Sequence, residues 1–245
     1  AVSFPIYQTS TYKNPGLGSD IEFSYSRCSN PTRAEVQNTV ALLEQGSAGF
    51  AFTSGLSAIL ACFSLLSAGD HVVISDDIYG GAYRMAEEIF KRFNLSFTRV
   101  DESNLSAVEN AITEKTKMIY LESPTNPMMK VADIKAIAEI SKKHGLLLTV
   151  DNTFLSPYFQ KPLTLGADIV IHSGTKYLTG HNDTTAGFVI VDDGRACKSV
   201  LPRLSAIFNI FIVRSIRVSK ACRLVVLFSG VNFYCFKTCS AFHIQ

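Results

Sequence analysis

The sequence is poor in disulfide and metal-binding signals. Six cysteines occur in 245 residues, at positions 28, 62, 197, 222, 235 and 239. No CxxC pair and no Cys/His cluster at zinc spacing occurs, which favours reduced thiols over a disulfide framework. The pattern predicts reduced thiols in an intracellular protein. The five histidines, at 71, 144, 172, 181 and 243, have no metal-like arrangement either. No GxGxxG, P-loop or nucleophile elbow is present, so the usual dinucleotide, nucleotide and serine-hydrolase signatures are missing. The opening AVSFPIYQTSTYK lacks a basic n-region and an apolar h-region, so it reads as no secretory leader. Between Arg195 and Gln245 the charge-free apolar segments are too short, or too interrupted by Asn, Ser and Gly, to read as bilayer-spanning.

Acidic charge is missing from one end. All 21 acidic residues lie at or before Asp193, accompanied by 15 Lys and Arg, and only basic charges follow: Arg195, Lys198, Arg203, Arg214, Arg217, Lys220, Arg223 and Lys237. The acidic main part offers no clustered basic surface for nucleic acid. What remains, 47% hydrophobic and 18% charged, is ordinary globular composition. At this length one large domain, or one plus an incomplete second, buries a sizeable core.

Element patterns then point to one fold class. NPTRAEVQNTVALLEQG predicts a helix with Asn30 as N-cap, Pro31 at its first position, Val36, Val40 and Leu43 on one face and Gly46 closing it. Everything before it reads as an extended arm. Strand and helix then alternate: AGFAFTS, then a helix to Gly69; HVVIS, then GGAYRMAEEIFKRF; SFTRV, then NLSAVENAITEK. MIYLE, ADIKAIAEISKKHG, LLLTVD, ADIVIHS and AGFVIV complete the series. Near-continuous apolar runs such as LLLTV suit strands buried on both faces. An α/β architecture follows, a mainly parallel sheet between helices. Beyond Gly194 the regularity stops, and AIFNIFIV and LVVLF show neither helical nor strand periodicity. This abrupt break reads as non-coding or out-of-frame translation standing in for a C-terminal domain.

In open α/β sheets, ligands bind at the carboxyl ends of the strands. After AGFAF come Thr53, Ser54, Gly55 and Leu56 at a helix start, where backbone N–H groups offer an anion site; an ordinary helix start is the equal alternative. Asp151 follows LLLTV, and Ser173, Gly174, Thr175 and Lys176 follow ADIVIH. A plain ion pair is the commoner meaning of one Asp and one Lys. Here Lys176 is flanked by hydroxyls and by Gly174 and Gly180, so the lysine is what the site accommodates. Tyr79 follows HVVISDD, and Glu122, Ser123 and Asn126 project from the next strand end. Pyridoxal 5′-phosphate (PLP) demands this joint set: a lysine, a carboxylate for its ring nitrogen, phosphate donors and an aromatic face.

In this order YSRCSNPT, SGLSA, DDIYGGAYR, YLESPTNP, VDNTF and SGTKYLTGH closely resemble the transsulfuration, or Cys/Met metabolism, PLP-dependent enzymes, the group of cystathionine γ-synthase and cystathionine β- and γ-lyase. The resemblance covers residues 1 to about 193. It implies the large domain of an aspartate-aminotransferase-like fold, lacking its C-terminal small domain. The chain then divides into an arm and first helix (1–46), a PLP-binding large domain (47–193) and an aberrant basic tail (194–245).

The resemblance also implies roles. Lys176 is the lysine that joins the cofactor as an aldimine, Asp151 the partner of its ring nitrogen, and Tyr79 the stacking residue that helps in proton transfer. Gly55, Leu56, Ser173 and Thr175 hold the phosphate, Asn126 meets the ring 3-oxygen or the substrate carboxylate, and Tyr25 and Arg27 reach the phosphate of a neighbouring subunit. No metal is implied. The expected activity is γ-replacement or β/γ-elimination on small amino acids of the cystathionine, O-acylhomoserine or cysteine class, in a cytoplasmic dimer of active-site dimers. O-acylhomoserine sulfhydrylase and methionine γ-lyase activities are alternatives; the latter characteristically carries a cysteine after the first glycine, where YGGAYR has Gly81. An inactive PLP-binding fragment is the second class of reading.

Overall fold

Why the middle of this chain folds as it does is visible in its central strands, short and apolar, three of them closed by the polar residues Glu122, Asp151 and Ser173. The computed structural model describes residues 2–16, 18–192, 200 and 202–207, and the backbone of 223–229 and 232–238. Seven strands, β1 Ala48–Phe52, β2 His71–Ser75, β3 Ser96–Val100, β4 Thr116–Glu122, β5 Leu147–Asp151, β6 Ile169–Ser173 and β7 Gly187–Val191, form one sheet. Their order is β1-β7-β6-β5-β4-β2-β3. Pairings among β2 to β6 are parallel, whereas β7 runs antiparallel to both β6 and β1. A mainly parallel sheet is what the buried runs predict; the reversed β7 is not, since direction leaves no mark in hydrophobic pattern.

Side-chain alternation splits the core. On one face Val72, Ile74, Met118, Tyr120, Ile169, Ile171 and Val189 pack under helix α2 (Gly55–Phe63). On the other, Val73, Ile119, Leu121, Leu148 and Val150 pack under Ile134 and Ile137 of α5 (Ile134–His144), and Val170 and Ile190 lie beneath Val40 of α1 (Pro31–Glu44). Both faces are covered, which is why the central strands show no polar alternation. Full burial of each Ile or Leu stabilises by about 2 kcal/mol before entropy is counted.

Local chemistry sets the ends of α1. Asn30 caps it, accepting from the amides of Thr32 and Arg33, and its side-chain amide donates to Tyr7 O, Tyr12 Oη and Ser26 Oγ. One side chain thus starts α1 and ties down the arm. The arm itself is extended, with a single bridge between Thr11 and Tyr25. Gln45, in the left-handed region at φ 59°, terminates α1 one residue before the predicted Gly46.

Three predicted helices are shorter or less regular than their periodicity. α2 stops at Phe63 because the Ser64 hydroxyl donates back to Leu60 O and the chain tightens through Leu65 N to Cys62 O. GGAYRMAEEIFKRF divides into α3 (Gly80–Arg84), a π turn (Met85–Ile89) and a 3-10 turn (Phe90–Phe93). That change of winding accompanies the inward seating of Phe90, edge-on to Phe63 at 5.5 Å. α4 is limited to Leu105–Asn110.

Residues 200 and 202–207 are helical, with Val200 and Leu204 buried in the α2-side core and Arg203 donating to Leu65 O. Further on, β8 (Arg223–Ser229) and β9 (Asn232–Thr238) form an antiparallel two-stranded sheet where no regular element is expected. Runs dense in β-branched and aromatic residues pair without needing strict alternation. The rest of 194–245, including most of the predicted tail, lies outside the described residues. Among those described, Cys28 and Cys62 are unbridged, no acid/His/Cys group has a metal-binding arrangement, and no helix is long and apolar enough to cross a membrane.

Candidate active site

The topology gathers the polar strand ends along one edge. β1, β4, β5 and β6 all run toward it, and β7 begins there, with Gly187 paired to both Phe52 and Ser173. The helix start Ser54–Gly55 therefore lies against the end of β6. A Cβ on Gly55 would stand 2.7 Å from that of Ser173, and one on Gly187 would fall 1.9 Å from the carbonyl oxygen of Ser54. Only glycine permits either approach. Ser54 caps α2 through Ser57 N, while Thr53, Ser54 and Ser57 join hydroxyls at 2.9 and 3.0 Å. The amides of Gly55 and Leu56 open the nine-residue α2, where N–H groups have no helical acceptor. Leu56 itself is exposed.

Asp151 ends β5 and is buried, with both carboxylate oxygens engaged. Oδ1 accepts from Thr153 N at 3.0 Å and from Thr153 Oγ1 at 2.5 Å, and Oδ2 accepts from Tyr120 Oη at 3.3 Å. Thr153 Oγ1 in turn accepts from Ser173 N at 2.8 Å. One threonine so couples the ends of β5 and β6. Burial pushes the Asp151 carboxyl up, against the opposing pull of the Thr153 bonds. Glu122, its register partner on β4, is pushed up to about 8 by burial and by the charge of Asp151. Two carboxyls share one face of the sheet, so a bound cation is electrostatically favoured between them.

Glu122 also holds the neighbouring loop, accepting from Tyr79 N at 2.7 Å. The Tyr79 ring is partly exposed, and a Cβ on Gly81 would come within 2.4 Å of it. Asp77 ties this loop to the one after β4, accepting from Thr125 Oγ1 and Met128 N. In that second loop Asn126 is half-buried and precedes a cis peptide to Pro127. Lys176 sits on the turn after β6, its amide bonded to Ser173 O at 3.2 Å and its side chain exposed. Thr175 turns the other way: its hydroxyl accepts from Ala186 N and donates to Ala186 O. Gly174 is packed against Phe188, where a Cβ would lie 2.5 Å from the ring, and Gly180 has φ +73°.

Of the residues singled out in the sequence, the structure joins Gly55, Ser173 and Asp151 directly or through Thr153, and Tyr79 to Glu122. Tyr25 and Arg27 stay on the arm, the guanidinium 5.2 Å above the ring centroid, with no contact to the strand ends among the described residues. Sequence reasoning missed Thr153, Tyr120 and the buried set behind them. There Glu44 Oε1 lies 2.5 Å from His172 Nε2 and 2.8 Å from Asn152 Nδ2, and Gln160 donates to Asn152 Oδ1 and Ser123 O. An acid that ends a helix next to an apolar stripe was the available signal for Glu44.

Comparison with known proteins shows the family. A family model described as Cys/Met metabolism PLP-dependent enzyme matches residues 1–207. Cystathionine gamma-lyase of Bacillus subtilis is 54% identical over 190 residues, 78% of this chain and 50% of the relative. Cystathionine beta-lyase of Lactococcus lactis is 53% identical over 189 residues, 77% of this chain and 50% of the relative. The crystal structure of cystathionine gamma-lyase from Lactobacillus plantarum complexed with L-serine superposes with a TM-score of 0.80 at 49% identity, covering 84% of this chain and 54% of that one. The chain spans about half the length of these relatives. It belongs to the Cys/Met metabolism PLP-dependent enzyme family.

Proposed function

We propose that this chain forms the cofactor-binding part of a cytoplasmic enzyme that makes or breaks C–S bonds in sulfur amino-acid metabolism, by γ-replacement or β/γ-elimination of the cystathionine synthase and lyase type. Its substrates are small amino acids of the cystathionine, O-acylhomoserine or cysteine class, and it works as a homo-oligomer built from active-site dimers. The observation that carries this reading is the unit Asp151–Thr153–Ser173, which ties a buried carboxylate to the strand end that leads into Lys176.

The residues present fit PLP. Asp151 and Glu122 are two buried carboxyls whose burial and mutual repulsion favour a cationic group, the property of a protonated pyridine nitrogen. Asp151 would hold that nitrogen, Tyr79 would cover the ring, and Asn126 would meet the ring 3-oxygen or the substrate carboxylate. The amides of Gly55 and Leu56 and the hydroxyl of Ser173 would hold the phosphate at the start of α2; the Thr175 hydroxyl, bonded to Ala186 in this structure, would join them only after rotating away from that residue. Tyr25 and Arg27 of a neighbouring copy would complete it, in keeping with their exposure on the arm. When bound, PLP withdraws electrons from the substrate Cα through its protonated ring.

Around that chemistry the side chains do ordinary work. Lys176 would hold the cofactor through its amine, and the same amine, placed at the strand end beside the substrate, would move protons at Cα and Cβ. Asp151 keeps its ring partner cationic, and Thr153 keeps Asp151 oriented. Tyr79 excludes water from one ring face. Borohydride reduction after incubation with PLP, followed by peptide mapping beside Lys176→Ala, tests the assignment: modification confined to Lys176 supports it, and its absence there refutes it. A second reading is cofactor binding without turnover, set beside the fact that the matched region spans about half the length of the relatives. C–S cleavage of cystathionine by the PLP-loaded protein excludes it.

A further inference from the structure

Tyr120 heads the fully buried side chains by size, and its ring is fixed edge-on to Phe63 at 5.4 Å. A buried phenol O–H needs an acceptor. Its acceptor is Asp151 Oδ2, at 3.3 Å, reached diagonally because Tyr120 pairs with Thr149 on the neighbouring strand. Thr153 directs both its donors to Oδ1. Among the described residues no other group donates to Oδ2.

We propose that Tyr120 is a positioning residue for Asp151, its hydroxyl completing with Thr153 a two-sided clamp on the carboxylate that meets the cofactor ring nitrogen. The last clause rests on the function proposed above. Without this donor, Oδ2 faces a dry, acid-rich surround. Glu122 opposes ionisation of Asp151 from β4. Cys62, from α2, stays neutral because burial and the Asp151 charge push its thiol up. A protonated His172, on β6, would favour the carboxylate by charge. Tyr120 is itself pushed well above its ordinary value, by burial first and then by the charges of Asp151 and Glu122, so it stays a donor across the working range. Phenylalanine would fill the same volume and give the same ring packing. The hydroxyl is therefore there for the hydrogen bond.

The test is Tyr120→Phe in the full chain, read in two ways. In the cofactor-free protein, the carboxyl 13C resonance of Asp151, assigned with Asp151→Asn, is followed against pH. Loss of one hydrogen bond to a buried carboxylate moves its midpoint up by about one pH unit. PLP affinity, measured from the visible absorption of the bound cofactor, falls roughly threefold to tenfold. Phe63→Leu loosens the ring packing but keeps the hydroxyl, and leaves that midpoint in place; a midpoint displaced equally in both variants assigns Tyr120 to packing alone and overturns the proposal. So does a Tyr120→Phe protein with the parent midpoint and PLP affinity within twofold. If the parent chain takes up no PLP, the functional reading fails, and the carboxyl titration still decides the Tyr120–Asp151 relationship.

Discussion

The hydroxyl of Thr153 donates to Asp151 while accepting the amide of Ser173, so the carboxylate at the end of β5 and the backbone at the end of β6 share one oxygen. Each of the three groups fixes the others: the proton of Thr153 points at Oδ1 because its lone pair is taken by Ser173 N. Thr153→Val keeps the shape and removes both bonds. It is expected to weaken PLP binding about tenfold or more and to leave Ser173 N without an acceptor, at a cost of about 1–3 kcal/mol. Thr153→Ser is expected to restore most of both losses. Cofactor titration and urea unfolding of the three proteins check this.

Gly187 permits the closest backbone approach at the strand ends. A methyl group there would occupy the space of the Ser54 carbonyl oxygen, which is main chain and cannot rotate away. Gly187→Ala must therefore separate β7 from the start of α2, the segment proposed to carry the phosphate. Unfolding is expected to be easier by about 2–4 kcal/mol, within the range for overpacked or strained core positions. Gly16→Ala, on the arm with only Ser19 Oγ at 3.7 Å, is the control and is expected to change little. Chemical denaturation of both variants measures the contrast.

The strands and their polar ends were legible because hydrophobic run length and turn residues are local. Asn30 as cap and the order of the elements follow from the same local chemistry. Thr153 was quoted within VDNTF without its role, because that role depends on the register of β5 against β6, which no spacing encodes. Tyr120 is hidden for the opposite reason: an aromatic in an apolar strand reads as core, and it is core, with one polar atom in use. Gly187 looks like any strand-initiating glycine until β7 is seen to run antiparallel beside Ser54. α2 ends early where the serine hydroxyl at 64 bonds a backbone carbonyl, a local contact that hydrophobic periodicity does not show.

Glu44 and His172 meet in the interior, neither with more than 1% of its side chain exposed. Asn152 shares the same Glu44 oxygen. Truncation of Glu44 to Ala would leave His172 Nε2 without its partner and Asn152 Nδ2 with Gln160 O alone, at a cost of about 1–3 kcal/mol for each buried group left unsatisfied. Glu44→Gln retains an acceptor and is expected to cost less than half as much. Because Asn152 adjoins Asp151, Glu44→Ala is also expected to lower PLP affinity, whereas exposed Lys143→Ala is expected to leave affinity and stability within experimental error. Equilibrium unfolding with and without PLP separates the two effects.

Glu102 and Glu122 give the protein a distinctive dependence on pH. Ser75 links them, donating to Glu102 while accepting from Glu122 N. Burial pushes Glu102 up to about 7, and burial with the Asp151 charge pushes Glu122 up to about 8, both from an ordinary 4.5. Between 4.5 and these values the unfolded chain has released protons that the folded chain retains. Folded-state stability from these groups is thus full below about 4.5 and is lost as pH rises through 7 and 8, with a slope of up to about 1.4 kcal/mol per pH unit for each. Glu122→Gln removes one of the two titrations, so its stability relative to the parent is expected to improve steadily from pH 5 to pH 8. Urea midpoints at unit pH steps test the sign, and a parent and variant that stay parallel across that range would show that Glu122 ionises normally in the folded chain.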